Sequence, residues 1–131
     1  MAGAAVRESV TLAGRAERAR AARAFVSAVL GPGHPCGDDA ELLVSEIFGN
    51  SVRHSGSGAS GETVTVAVKV GDGMVRVEVT DRAGPGTPEL RPAGRDAEGG
   101  RGLQLVAAHA VRWGTQRRGG RMVTWFELSS S

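Results

Sequence analysis

Between residues 63 and 81 the chain alternates inward and outward positions with a period of two. Val64, Val66, Val68 and Val70 alternate with Thr63, Thr65, Ala67 and Lys69, and Val75, Val77 and Val79 alternate with Arg76, Glu78 and Thr80. Such runs of β-branched residues predict two strands buried on one face, and Gly71-Asp72-Gly73 between them predicts a tight hairpin. The phase extends beyond the valines: Asp81 continues the series 75, 77, 79 and is expected on the inward face. Val6–Ala13 alternates more weakly, through Val6, Val10 and Leu12, and predicts an edge strand. Val111–Gly114 and Met122–Leu128 predict two closing strands, joined by the basic turn Arg117-Arg118-Gly119-Gly120-Arg121.

Two other stretches follow helical spacing. From Ala16 to Leu30 the apolar positions Ala22, Phe25, Val26 and Val29 share a face, with Arg15, Arg18, Arg20 and Arg23 elsewhere. Those arginines read as a solvated face, with a partner-binding surface as the alternative. Gly31-Pro32-Gly33-His34-Pro35 breaks this helix, and Asp38 or Asp39 is expected to cap the next. That second helix, Glu41–His54, is the unusual one. At about 100° per residue Leu42, Leu43 and Ile47 fall in one arc, and Glu46 and Asn50 fall inside the same arc. Burying an unpaired carboxylate or amide is expensive, so two oxygen-bearing side chains there suggest a polar occupant, such as a hydrated cation or a water to be activated. The alternatives are an internally satisfied Glu/Asn pair, or a helix rolled so that both are half exposed.

Composition narrows the class without naming the chemistry. The 131 residues suit one domain, taken as 8–128 with residues 1–7 and 129–131 as flexible termini. One cysteine, Cys36, excludes an internal disulfide and a cysteine-rich metal site, so a cytoplasmic setting is the default. No apolar run approaches membrane length. The net charge of +2, with fifteen arginines among the sixteen basic residues, does not argue for nucleic-acid or membrane binding. Trp113 and Trp125 read as packing residues, and His109 as incidental.

The glycines lie where they could serve a ligand. Asp81-Arg82-Ala83-Gly84-Pro85-Gly86 is a turn in which backbone or ligand can approach closely. Leu90–Glu98 lacks periodicity and is expected to be a mobile loop. Gly99-Gly100-Arg101-Gly102 then leads directly into Leu103, Leu105 and Val106, so that free N–H groups at a helix start could meet phosphate; a plain glycine-rich turn is the alternative.

Taken in order, these pieces are Glu-x3-Asn on a helix, a hairpin ending in an inward Asp, a glycine turn, a loop, and Gly-x-Gly-Leu opening a helix. This arrangement resembles the ATP-binding domain of sensor histidine kinases, gyrase-type topoisomerases, mismatch-repair ATPases and heat-shock chaperone ATPases, the GHKL superfamily. Within it the chain is most similar to the small anti-sigma-factor serine/threonine kinases, the RsbW type, of actinobacteria. The resemblance implies an α+β two-layer sandwich of the Bergerat type, with helices on one face of a mixed, mostly antiparallel sheet. It implies ATP and Mg²⁺ as cofactors, Asn50 as the Mg²⁺ ligand and Glu46 as the group that polarises the attacking hydroxyl. Asp81 would accept from the adenine amino group, beside Gly84 and Gly86. Gly100, Arg101, Gly102 and Leu103 would form the second glycine box, and Arg53 would contact phosphate. One departure stands out, because Ala83 occupies the place of the first glycine of the usual Asp-x-Gly-x-Gly box.

The activity implied is phosphoryl transfer to a serine or threonine of a small STAS-like antagonist protein, coupled to holding and releasing a sigma factor, with a homodimer possible. The alternative is a nucleotide-dependent protein-binding module without significant turnover. A domain that has lost nucleotide altogether is a third class. No phospho-accepting histidine domain is present, which leaves a sensor histidine kinase only for a fragment.

Overall fold

The alternation over residues 63–81 forms the hairpin that it predicts. The structure is a computed structural model that describes residues 5–54, 62–82 and 104–130. Its strands are β1 (Val6–Ala13), β2 (Thr63–Gly71), β3 (Met74–Arg82), β4 (Arg112–Arg118) and β5 (Arg121–Ser129). Between β2 and β3 only Asp72 and Gly73 lie outside the strands, with φ of 54° and 71°. Two successive left-handed residues match the right-handed twist of the flanking strands, and Asp-Gly supplies them at small steric cost. The five strands form one sheet in the order β1-β2-β3-β5-β4.

Every pairing among the described strands is antiparallel, so the expected mixed component is not found there. The connectivity accounts for this. The chain leaves β3, reaches β4 at the far edge, and returns through a tight turn so that β5 fills the gap beside β3. The edge position expected for β1 is observed, since it pairs with β2 alone. Val6, Arg7 and Ser129 belong to strands, so the sheet extends past the expected limits of 8–128 at both ends.

The helices lie on one face. A short 3-10 turn, Ala16–Arg18, leads into α1 (Ala19–Leu30), which ends at Gly31 with φ of 88°. Helix α2 (Gly37–His54) follows after six residues, and a short helix α3 covers residues 104–109. The carbonyl of Cys36 accepts from the Ala40 amide at 2.8 Å, so α2 begins two residues earlier than Asp38 would allow as a cap. Asp38 and Asp39 sit in the first turn instead, where their charge complements the helix dipole. No helix among the described residues is long and apolar enough to cross a membrane.

Helix α2 is rolled about a quarter turn from the arc expected for it. Ala40, Leu43, Val44, Ile47 and Phe48 are buried, whereas Leu42 is 40% exposed. Packing area decides between the two arcs. Turning Leu42 outward brings both Val44 and the larger Phe48 against the inward valines of β2 and β3, Val26 of α1, and Phe126 and Leu128 of β5. The roll has a chemical consequence: Glu46 becomes half-buried, at the edge of the packed face, while Asn50 remains fully buried.

This orientation separates two otherwise similar substitutions. Phe48→Ala should cost about 3–5 kcal/mol of unfolding free energy, and Leu42→Ala no more than about 0.5 kcal/mol. Urea denaturation of the two variants measures the contrast, and equal losses would restore the unrolled helix.

Candidate functional site

The inward phase of β3 places Asp81 where the hairpin predicts it, with 3% of its surface exposed. A strand that buries Val75, Val77 and Val79 on its helix-facing side must bury the next residue in phase as well, and that residue carries a carboxylate. The last turn of α2 closes over it. The Ser51 hydroxyl meets the Asp81 carboxylate and favours its ionised form. Burial acts more strongly in the other direction, and together they push the carboxyl up to about 6. Asp81 Oδ1 is buried without a hydrogen-bond partner among the described residues.

A second oxygen shares this condition. Thr124 of β5 is 1% exposed, and its Oγ1 has no hydrogen-bond partner among the described residues. In the β3–β5 ladder Val79 opposes Thr124 and Asp81 opposes Met122, so Thr124 and Asp81 are diagonal neighbours on the helix-facing side. Leaving a buried hydroxyl or carboxylate oxygen unsatisfied costs about 1–3 kcal/mol each. Two such acceptors side by side, at the end of a strand and under a helix, suit a ligand edge that donates hydrogen bonds.

Asn50, adjacent to Ser51 in the chain, is also fully buried, and Glu46 lies one helical turn earlier at the margin. Ser51 thus ties the polar turn of α2 to the end of β3 and brings Asn50 and Asp81 into one region. The side chain of Arg53 lies outside the described residues, as do Ala83, Gly84, Gly86, Gly100, Arg101, Gly102 and Leu103. Helix α3, which follows the second glycine segment, packs Val106 and Leu105 against the core. His109 Nδ1, expected to be incidental, stands 3.4 Å from Asp39 Oδ1 and links the end of α3 to the start of α2.

Ser51 and Thr124 were not singled out from the sequence, although each left a signal. Ser51 stands four residues after Ile47 and three after Phe48, a polar residue in the middle of the rolled face. Thr124 shares the phase of Met122, Phe126 and Leu128, a hydroxyl among inward apolar residues.

Comparison with known proteins agrees with this layout. Residues 12–127 match the family model for the histidine kinase-like ATPase domain. The chain belongs to that family. A Streptomyces coelicolor protein described as uncharacterized is 41% identical over 80 residues, which is 60% of this chain and 73% of the relative. Among solved structures, the RsbU and RsbW domains of Rv1364c from Mycobacterium tuberculosis superpose with a TM-score of 0.64 at 23% identity. The match covers 95% of this chain and 32% of that one. The histidine kinase domain of a blue-light activated histidine kinase from Erythrobacter litoralis gives 0.58 at 20% identity, covering 88% and 60%. At these identities the likeness concerns the fold, and this chain spans about a third and three-fifths of the two structures. The histidine kinase-like ATPase family is ATP-binding and kinase-like in character, and the buried acceptors lie in the layer between its helices and sheet.

The raised carboxyl makes a prediction of defined sign. Asp81 holds its proton more tightly folded, near pH 6, than unfolded, near 3.8. Its contribution to stability is therefore fully present below about pH 3.8 and is lost as pH rises through about 6. In thermal melts the wild type should gain on Asp81→Asn between pH 7.5 and pH 5. A difference that stays constant across that window would mean that the carboxylate is not desolvated.

Proposed function

We propose that the protein binds ATP with Mg²⁺ and transfers the γ-phosphoryl group to a serine or threonine of a small STAS-like antagonist, in the manner of an anti-sigma-factor kinase. The observation that carries this reading is the buried Asp81 carboxylate, whose Oδ1 has no hydrogen-bond partner among the described residues, diagonal to the Thr124 hydroxyl, which likewise has none there. An adenine edge presents an exocyclic amino donor and a ring acceptor. Asp81 accepts the first, and the Thr124 hydroxyl, which can both donate and accept, serves the neighbouring position. A charge-assisted bond in a desolvated site contributes roughly 1.5–3 kcal/mol, enough to select the base.

The donors also fit a phosphate-bound Mg²⁺. Among the described residues no group of three or more His, Cys, Asp or Glu could hold a metal by itself. Mg²⁺ commonly keeps several waters and takes few protein ligands when phosphates supply the rest, so a single amide oxygen from Asn50 suffices. When bound, Mg²⁺ neutralises charge on the transferring phosphoryl group.

Glu46 is half-buried one turn before Asn50, and in this reading it works at the margin of the site instead of inside the core. It orients the attacking hydroxyl and takes its proton as the oxygen–phosphorus bond forms. A carboxylate wholly buried there could not be reached by a protein substrate, and one wholly exposed would not be positioned. The outward roll of α2 sets this intermediate position. In this reading the sigma factor is the protein held and released, and a homodimer provides the assembly.

Glu46→Gln is nearly isosteric and cannot accept the proton. Single-turnover phosphorylation of the antagonist should fall by about 10²–10⁴-fold, with ATP affinity retained on the same samples. Equal rates would remove Glu46 from catalysis. Absence of transfer by the wild type to any antagonist would leave a nucleotide-dependent binding module as the function.

A further inference from the structure

The helices cover one side of the sheet, and the other side carries a charge pattern that the nucleotide site does not use. Cross-strand register aligns Arg7 with Lys69, Lys69 with Arg76, Arg76 with Glu127, and Glu127 with Arg112. One row therefore crosses all five strands with four cations and a single carboxylate. Like charges directly opposite one another destabilise a sheet. Two successive like-charged pairs, Arg7–Lys69 and Lys69–Arg76, stand in this row. Lys69 is also the only lysine in the chain.

The two halves of the row differ. On one side Arg76 donates to Glu78 and to Glu127, each at 2.8 Å, and its guanidinium lies 4.1 Å from the centre of the Trp125 ring. Arg112 donates to Glu127 at 2.6 and 2.9 Å. Burial alone would raise the Glu127 carboxyl, but these hydrogen bonds outweigh it and hold it below its usual range. The Trp125 ring rests over Gly114, where an added Cβ would come within 3.1–3.3 Å of the ring. This half is a fixed, charge-balanced platform. On the other side Arg7 and Lys69 are exposed and have no carboxylate partner among the described residues. Arg118 folds back over the same face, donating to Gln116 Oε1 at 3.1 Å. These three cations, with Arg76, Glu78 and Ala67, line a hollow of about 210 Å³.

From this juxtaposition we infer that the face of the sheet opposite the described helices docks a carboxylate-rich segment of a protein partner, with Arg7, Lys69 and Arg118 receiving its acidic side chains around the rigid Arg76–Trp125 platform. Arginine and tryptophan held in place are the residues that anchor protein interfaces. The face does not suit nucleic acid. Arg76 occupies the Trp125 ring that a base would stack on, and Glu78 and Glu127 would repel a continuous phosphate chain. A second copy of this chain would bring the same surplus of positive charge against itself. An anionic bilayer would require apolar residues to enter it, and among the described residues this hollow offers only Ala67. The site lies on the back of the same β3 and β5 that carry Asp81 and Thr124, so a partner there leaves the nucleotide side open.

The test uses the full chain and a fluorescein-labelled alternating Glu–Ser peptide, with a duplex oligonucleotide and phosphatidylglycerol vesicles as comparisons at one ionic strength. Fluorescence anisotropy should show peptide binding that weakens by at least about tenfold in Arg7→Glu/Lys69→Glu, with ATP affinity unchanged. Lys69→Thr provides a second variant. It relieves both like-charge pairs, so its Tm should rise by a few degrees while peptide binding falls. No peptide binding by the wild type, equal binding in the variants, or tighter binding of oligonucleotide or vesicles would each overturn the inference. A dimer in sedimentation that dissociates in Arg7→Glu/Lys69→Glu would assign the face to a second copy and overturn it as well.

Discussion

A carboxylate held out of water at the end of a strand constrains much of what surrounds it. Asp81 is inward because β3 is in phase with three buried valines, and it is enclosed because the last turn of α2 packs over that strand end. Burial raises the cost of its charge, and the Ser51 hydroxyl offsets only part of that cost. The remainder is available to any ligand that donates a hydrogen bond into the site, because binding then satisfies a group that folding left wanting. Thr124 adds a second such oxygen in the same layer. A site of this kind is destabilising when empty, which is why the apolar sheet and the α1–α2 pair must supply the surplus.

The elements that were legible in the sequence are those with local signals. The hairpin declared its phase through seven valines at alternate positions, and a slip of one residue would have exposed all of them, so Asp81 could be placed with no knowledge of the rest of the fold. The glycines that end α1 and turn the hairpin were similarly plain, since their positive φ is a local requirement. Helix α2 was harder. A periodic arc fixes which residues lie together on a helix but tolerates a roll, and the choice between Leu42 and Phe48 depends on what faces the helix across the core. The site inherits that ambiguity: Asn50 is buried as read, but Glu46 is half-buried.

Other features could not be read locally. Thr124 matters because it stands diagonal to Asp81 on the neighbouring strand, and that pairing joins residues more than forty positions apart. His109 meets Asp39 for the same reason, through packing of α3 against the start of α2. The row from Arg7 to Arg112 is the extreme case. Each cation alone is an ordinary outward residue on an alternating strand, and only the register of four ladders shows them abreast. The sheet thus has two chemistries, a desolvated oxygen pair beneath the helices and a cationic row on the opposite side, carried on alternate residues of the same strands.

The proposed function rests on docking of the adenine base at the Asp81 carboxylate. Calorimetric titration of ATP with Mg²⁺ at pH 7.5, into the wild type and a folded Asp81→Ala variant, tests it most directly. Losing a hydrogen bond to a charged group predicts an affinity lower by roughly 10- to 150-fold, with the two proteins equally folded by circular dichroism. Equal affinities in the two would contradict the account and place the nucleotide, if bound, elsewhere.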